Sequence, residues 1–222
     1  MDAPVPSERE LATRYGLSRM TARQAVEHLV SEGRLYRVQG KGTFVARPKI
    51  DIPLRLASFT NDMQARGMTP GARDLGRRKT PAAGAVAREL GVPVGTEIHV
   101  IERLRTADGV PMALERSHIP VHLAPDLLDR SLLDRSLYEL LSAEYGIVPD
   151  RGDQVIEAGI ADSGDAGLLG LAPGSAVLLL QRRCWAGQVA VEYVVSTYRA
   201  DRYQLRASLE ITPVATGVTG QP

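Results

Sequence analysis

The chain has 222 residues, 44% of them hydrophobic and 24% charged. That is length enough for one large domain or two small ones, with the composition of a globular protein. No apolar run reaches the roughly 18 residues of a membrane-spanning helix, Met1-Asp2-Ala3-Pro4 lacks the regions of a signal peptide, and the single Cys184 excludes an internal disulfide and any multi-cysteine metal site, so a cytoplasmic protein is expected. Net charge is +1, but residues 1–50 hold nine Lys/Arg against five Asp/Glu and residues 51–222 hold eighteen against twenty-one, a basic end on an acidic body that points to a polyanionic partner for that end.

In chain order, Pro6-Ser7-Glu8-Arg9-Glu10 reads as a helix start, with Ser7 as N-cap and Glu10 as the reciprocal half of a capping box. Leu11, Ala12 and Tyr15 share one side, and Gly16 stops the helix. Ser18 caps a second helix to about Ser31, in which Ala22, Ala25, Val26, Leu29 and Val30 form the stripe of one buried face. Arg19, Thr21, Arg23 and Gln24 then face outward near its start, groups suited to base edges and phosphates. After Gly33, Leu35-Tyr36-Arg37-Val38 and Thr43-Phe44-Val45 read as strands around a flexible basic tip, Gln39-Gly40-Lys41-Gly42. Two short helices and a hairpin describe a winged helix-turn-helix, its second helix directed to the major groove. Spacing alone also fits a small helical subdomain with solvated arginines.

Residues 47–54, with two prolines and no clear period, read as an extended linker. A helix is expected over Leu56–Arg66, then a turn at Thr69-Pro70-Gly71, and a second helix from about Gly84 to Leu90 that ends at Gly91. Glu97 to Thr106 and Val110 to Pro120 form a hairpin about Asp108-Gly109. Residues 123–145 make helical turns, with Ser136 and Glu139 at capping-box spacing, and 150–165 reads as a solvated turn region without the oxygen pattern of a calcium loop. Ala176 to Trp185 and Val189 to Tyr198 form another strand pair. The two hairpins echo each other: Arg105 precedes Glu115 by ten residues, as Arg182 precedes Glu192. The layout is α+β, an antiparallel sheet with helices packed on it.

Strand parity puts Arg103 and Arg105 on one face, two rigid forks able to converge on a phosphate or carboxylate. Ser136 opens a helix whose free N–H groups suit a phosphate, and Glu192 and Tyr198 share a face from which hydroxyl or amino groups can be hydrogen-bonded. Taken alone, the arginines equally fit a solvated strand face and Ser136 a plain cap. His118 and His122 are spaced as helical metal ligands, but Pro120 lies between them, so no metal and no cofactor is expected. Nor does the chain offer a paired acid and base or an activated nucleophile, which argues against an enzyme.

The segment PSERELATRYGLSRMTARQAVEHLVSEGRLYRVQGKGTFVA resembles the DNA-binding domain of the GntR family of bacterial regulators. That resemblance implies DNA contacts by Arg9, Ser18, Arg19, Thr21, Arg23, Gln39 and Gly40, with Lys41 added at the wing tip. Family members usually carry a further helix with a strand-like lead-in before this segment; here only Met1 to Val5 precede it, so a winged helix lacking its first helix, 1–46, is expected. LASFTNDMQARGMTPGARDL, IERLRTADGVPMALERSHIP, RSLYELL and VEYVVSTYRADRYQ resemble the chorismate-lyase-like effector domain of the family's HutC-type branch, expected over 55–205, with a tail at 206–222. The wording is closest to regulators that respond to glucosamine 6-phosphate or N-acetylglucosamine 6-phosphate; sister regulators sense urocanate or trehalose phosphate. The resemblance implies Phe59 and Thr60 at the pocket mouth, Arg103, Arg105 and Ser136 on the phosphate, and Glu115, Tyr138, Glu192 and Tyr198 on the sugar. It also implies a homodimer on palindromic operator DNA, released by a small phosphorylated effector.

Overall fold

A computed structural model describes residues 3–207 apart from 33, 39, 41, 46–48, 133 and 134. The expectations for Gly33, Gln39, Lys41, the start of the linker and most of the C-terminal tail therefore lie outside the described residues. The chain divides into two units, Met1–Ile50 and Asp51–Pro222.

In the first unit the capping box forms as its residues dictate. Ser7 Oγ accepts the Glu10 N–H at 3.3 Å and Glu10 Oε2 accepts the Ser7 N–H at 2.7 Å, opening α1 (Glu8–Tyr15). Gly16 closes it at φ 64°, a left-handed conformation that glycine adopts at little cost. Ser18 caps α2 (Arg19–Ser31) by accepting the Thr21 N–H at 3.0 Å. Ala22 and Val26 are buried, whereas Ala25 and Tyr15 are exposed. The buried stripe is thus narrower than its spacing predicts, because so small a unit packs against little more than one i, i+4 row. Strands β1 (Leu35–Val38) and β2 (Gly42–Val45) pair from Leu35↔Val45 to Val38↔Gly42. The N-terminal residues join them: Pro4 bridges Phe44, Val5 N–H donates to the Thr43 carbonyl, and Val45 N–H donates to the Ala3 carbonyl. A strand-like lead-in is therefore present, and Pro4, with no N–H to donate, sits between the residues that bond.

All but the first residue of β3 (Ile50–Pro53) belongs to the second unit; the strand pairs with β10 (Tyr203–Arg206), so the expected linker is in part a strand. Then come α3 (Phe59–Gln64), β4 (Pro70–Pro81), α4 (Gly84–Leu90), β5 (Glu97–Ala107), β6 (Val110–Pro120), two 3-10 turns, α5 (Leu137–Tyr145), β7 (Arg151–Ile160), α6 (Ser163–Leu169), β8 (Ala176–Ala186) and β9 (Val189–Arg199). Three expectations are corrected here. The helix expected from Leu56 starts only after its N-cap, Ser58, whose side chain accepts the Asn61 N–H. Pro70-Gly71 is not a turn but the start of β4, and 150–165 is not a solvated turn but β7 and the opening of α6. Asp108 and Gly109 take φ of 49° and 75°, the two positive values of the tight hairpin turn that the sequence announces.

One six-stranded antiparallel sheet carries this unit, in the order β4-β5-β6-β9-β8-β7. The order expresses the echo in the sequence: β4-α4-β5-β6 is followed by β7-α6-β8-β9, and the two halves meet at β6 and β9. Directly paired residues share a face. Three rows on the inner face are Arg105–Ala113–Tyr198–Leu178, Arg103–Glu115–Ser196–Leu180 and Ile101–Ser117–Val194–Arg182. Around Ile101 and Ile119, α5, the 3-10 turns and the segment between them seal this face with Leu127, Leu132, Leu137, Leu140 and Leu141. On the outer face α4 covers Ile98 and Val100, and α6 covers Val177.

Candidate functional site

In the first unit Arg9, Arg19, Thr21 and Arg23 are all exposed. Ser18 Oγ lies 2.8 Å from Thr21 Oγ1, so the cap and the first turn of α2 form one hydroxyl pair beside the helix N-terminus. Arg23 donates to Glu27 at 2.9 Å, one turn on, an exposed pair that water screens. Arg37 donates to Glu8 at 3.1 Å, tying β1 to α1, and Gly40 takes φ 73° at the exposed hairpin tip.

In the second unit α3, the start of α5 and the inner face of the sheet enclose a cavity of about 50 Å³. Eight of the nine predicted effector residues line it: Phe59, Arg103, Arg105, Glu115, Ser136, Tyr138, Glu192 and Tyr198. The ninth, Thr60, accepts a bond from Arg105 Nη2 at 3.0 Å. Arg103 Nη2 and Arg105 Nη1 both donate to Glu115 Oε2, at 3.2 and 3.3 Å, and the Arg105 guanidinium lies 4.6 Å from the centre of the Phe59 ring. Two buried cations thus share one carboxylate. Arg103 Nε and Nη1 and Arg105 Nε are buried with no protein acceptor. Burial pushes the Arg103 guanidinium below its ordinary value, the neighbouring Arg105 adds to this, and Glu115 opposes it. A further acceptor would relieve both effects, since unsatisfied charged donors are costly to bury.

At the other side of the cavity Tyr138 donates to Glu192 at 2.8 Å, with Cys184 Sγ 3.2 Å from the same hydroxyl. Burial holds the Glu192 carboxyl above the usual carboxylate range, although hydrogen bonds from Ser117 and Tyr138 pull it down. The same burial pushes the Cys184 thiol up to about 12, leaving it protonated. Ser136, 1% exposed, caps α5 by accepting the Glu139 N–H at 3.5 Å. Tyr198 packs edge-on against Tyr203, centroids 4.9 Å apart.

Residues outside the predicted set also line this cavity, notably Arg182, Gln154, Ser117 and Asp62. Arg182 carried a signal, standing ten residues ahead of Glu192 as Arg105 stands ahead of Glu115. Gln154 carried none, because its strand is not legible as one.

Comparison with known proteins agrees with both units. Residues 1–45 match the family described as bacterial regulatory proteins, gntR family, and residues 65–204 match the UTRA domain. The chain is 43% identical over 204 residues to the HTH-type transcriptional repressor NagR of Bacillus subtilis, covering 91% of this chain and 84% of that protein. It is 35% identical over 205 residues to the repressor PhnF of Mycolicibacterium smegmatis, covering 92% and 83%. The crystal structure of PhnF from Mycobacterium smegmatis superposes with a TM-score of 0.71 at 34% identity, covering 96% of this chain and 94% of that one. Among the described residues no helix is long and apolar enough to cross a membrane.

Proposed function

This chain belongs to the gntR family of bacterial regulatory proteins and carries a UTRA domain, and on that premise we propose that it is a repressor released from palindromic operator DNA by an amino-sugar phosphate, glucosamine 6-phosphate or N-acetylglucosamine 6-phosphate. The observation that carries the reading is the pair of buried arginines, Arg103 and Arg105, with three N–H positions lacking a protein acceptor. Charge-assisted bonds of guanidinium to phosphate are among the strongest available to a protein, and Ser136 at the N-terminus of α5 adds a second phosphate-directed group. Glu115, Tyr138, Glu192 and Tyr198 then supply acceptors and donors for hydroxyl and amino groups. The similarity to a protein named NagR supports the amino-sugar class.

DNA reading falls to Arg9, Ser18, Arg19, Thr21, Arg23 and the wing residues Gln39, Gly40 and Lys41, with a homodimer presenting two winged helices to the two half-sites. At about 50 Å³ the cavity takes a phosphate-sized group but is small beside the several hundred Å³ of most ligand pockets. A hexose phosphate therefore selects a more open arrangement of α3, and a ligand that prefers one arrangement shifts the population toward it. The test is calorimetry of the full chain with glucosamine 6-phosphate, N-acetylglucosamine 6-phosphate, glucosamine and urocanate, alongside retention of operator DNA. Binding and DNA release by the phosphorylated amino sugars alone, without turnover, is the expected result. Release by urocanate, or by glucosamine without its phosphate, would overturn the proposal.

A further inference from the structure

In sequence Arg182 stands ten residues ahead of Glu192, as Arg105 stands ahead of Glu115, while the matching bulges after Arg105 and after Cys184 make Arg182 the register counterpart of Arg103. Arg105 and Arg182 differ in their partners. Arg105 bonds the Glu115 carboxylate, while Arg182 donates from Nε to Gln154 Oε1 at 2.7 Å and from Nη1 to the Ala57 carbonyl at 3.1 Å, both neutral acceptors. Among the described residues it makes no ion pair.

The charges that face the cavity can be followed one by one. Arg103 and Arg105 share Glu115, leaving one positive charge uncompensated at that end. Asp62 is engaged by Arg55 and Arg66. Glu192 is bonded by Tyr138 rather than by Arg182, which acts on its carboxyl only through space. Arg182 is therefore a half-buried cation whose hydrogen bonds go to neutral oxygens and not to a carboxylate. The register sets it three strands from Arg103 and one row along, so their Cα atoms are about 16 Å apart from sheet spacings, and the two cations approach the cavity from opposite sides. Arg182 and Gln154 also line an adjoining cleft of about 340 Å³, walled by Leu54, Arg55, Leu56 and Gly152, which gives a second group on the ligand room that the cavity itself lacks.

From this juxtaposition we propose that Arg182 is a second anion seat, so that the site accepts a compound carrying an anionic group, phosphate or carboxylate, at each of two ends. The inference rests on the reading of Arg103 and Arg105 as the first seat. An anion at Arg182 competes with the Ala57 carbonyl and Gln154 for the same N–H groups and opens the cavity toward the cleft.

The test compares glucosamine 6-phosphate with glucosamine 1,6-bisphosphate by calorimetry on the full chain. In wild type the second phosphate is expected to tighten binding at least tenfold. In Arg182→Met the two probes are expected to bind within about threefold of each other, while Arg182→Lys, which keeps a cation, retains part of the gain. A bisphosphate that binds wild type no more tightly than the monophosphate overturns the second seat without recourse to any variant, and so does a gain that survives in Arg182→Met. Failure of the first seat looks different: glucosamine 6-phosphate would then bind equally to wild type and to Arg105→Ala.

Discussion

Glu192 is 2% exposed, and burial raises its carboxyl above the usual range. The folded chain thus binds this proton more tightly than the unfolded chain does. The associated stability is fully present below the unfolded carboxylate value of about 4.3 and is lost as pH rises through the folded value. Glu192→Gln keeps the hydrogen-bonding outline without the charge. It should melt like wild type near pH 4.5 and higher than wild type at pH 8, by about 2–4 °C per kcal/mol relieved in a unit of this size. Thermal melts at the two pH values decide, and a variant less stable at pH 8 would mean that the ionised carboxylate is the form the fold needs. Arg105 acts differently, since it touches Glu115, Thr60 and the Phe59 ring at once. Arg105→Ala is expected to weaken glucosamine 6-phosphate by about a hundredfold, on the order of 3 kcal/mol for a lost charge-assisted contact. Calorimetry returning the wild-type affinity would remove the phosphate from this end of the cavity.

Among the elements, those with a strong local signal were legible before the structure. Ser7 with Glu10, Ser18, Gly84–Leu90 before Gly91, and the Asp108-Gly109 turn each announce themselves through caps and turn residues. Within the six-stranded sheet two strands did not, and both are its edges. β4 carries Arg73, Asp74, Arg77, Arg78 and Lys79 and is bulged between Asp74 and Gly76, while β7 opens with Arg151, Gly152 and Asp153. Charges, glycines and bulges are how natural sheets keep their edges from pairing further, and they erase the alternation by which a strand is read. The same cause hid part of the site: Gln154, the partner of Arg182, lies on β7, whereas Arg103 and Arg105 lie on a central strand with clear parity. Glycines on these edges separate two kinds of close approach. A Cβ at Gly159 would come within 2.7 Å of Leu179 Cδ1 and 2.8 Å of Cγ, but one at Gly71 would meet only Thr106 Oγ1, at 2.6 Å. To make room at Gly159, Leu179 must swing its whole isobutyl group about χ1 and leave the apolar cluster it packs against, while at Gly71 one rotamer change that turns the Thr106 Cβ hydrogen toward the added methyl suffices. Gly159→Ala should therefore cost about 1–3 kcal/mol and Gly71→Ala well under that, as urea denaturation would measure; equal costs would mean that the sheet edge yields as a whole.

At the scale of the whole molecule, the exposed arginines belong to Met1–Ile50 and the cavity to Asp51–Pro222, so repression that answers to a ligand is a coupling between two sites. Thermodynamics constrains that coupling whatever its structural route. If glucosamine 6-phosphate lowers operator affinity by some factor, operator DNA must lower glucosamine 6-phosphate affinity by the same factor. A coupling of about 1–3 kcal/mol corresponds to about 5- to 150-fold, ample for release once the ligand is in excess. The ligand titration is therefore to be repeated with the chain saturated by an operator duplex selected from a random pool, at fixed salt because phosphate contacts make DNA affinity steeply salt-dependent. Weaker ligand binding on DNA is expected, by the factor that the reverse experiment gives. Arg105→Ala should bind the operator equally with and without the ligand at concentrations that release wild type. If saturating operator left the glucosamine 6-phosphate affinity unchanged, the compound would occupy the cavity without being the signal that frees the DNA, and the effector would have to be sought among anions that distinguish the two states.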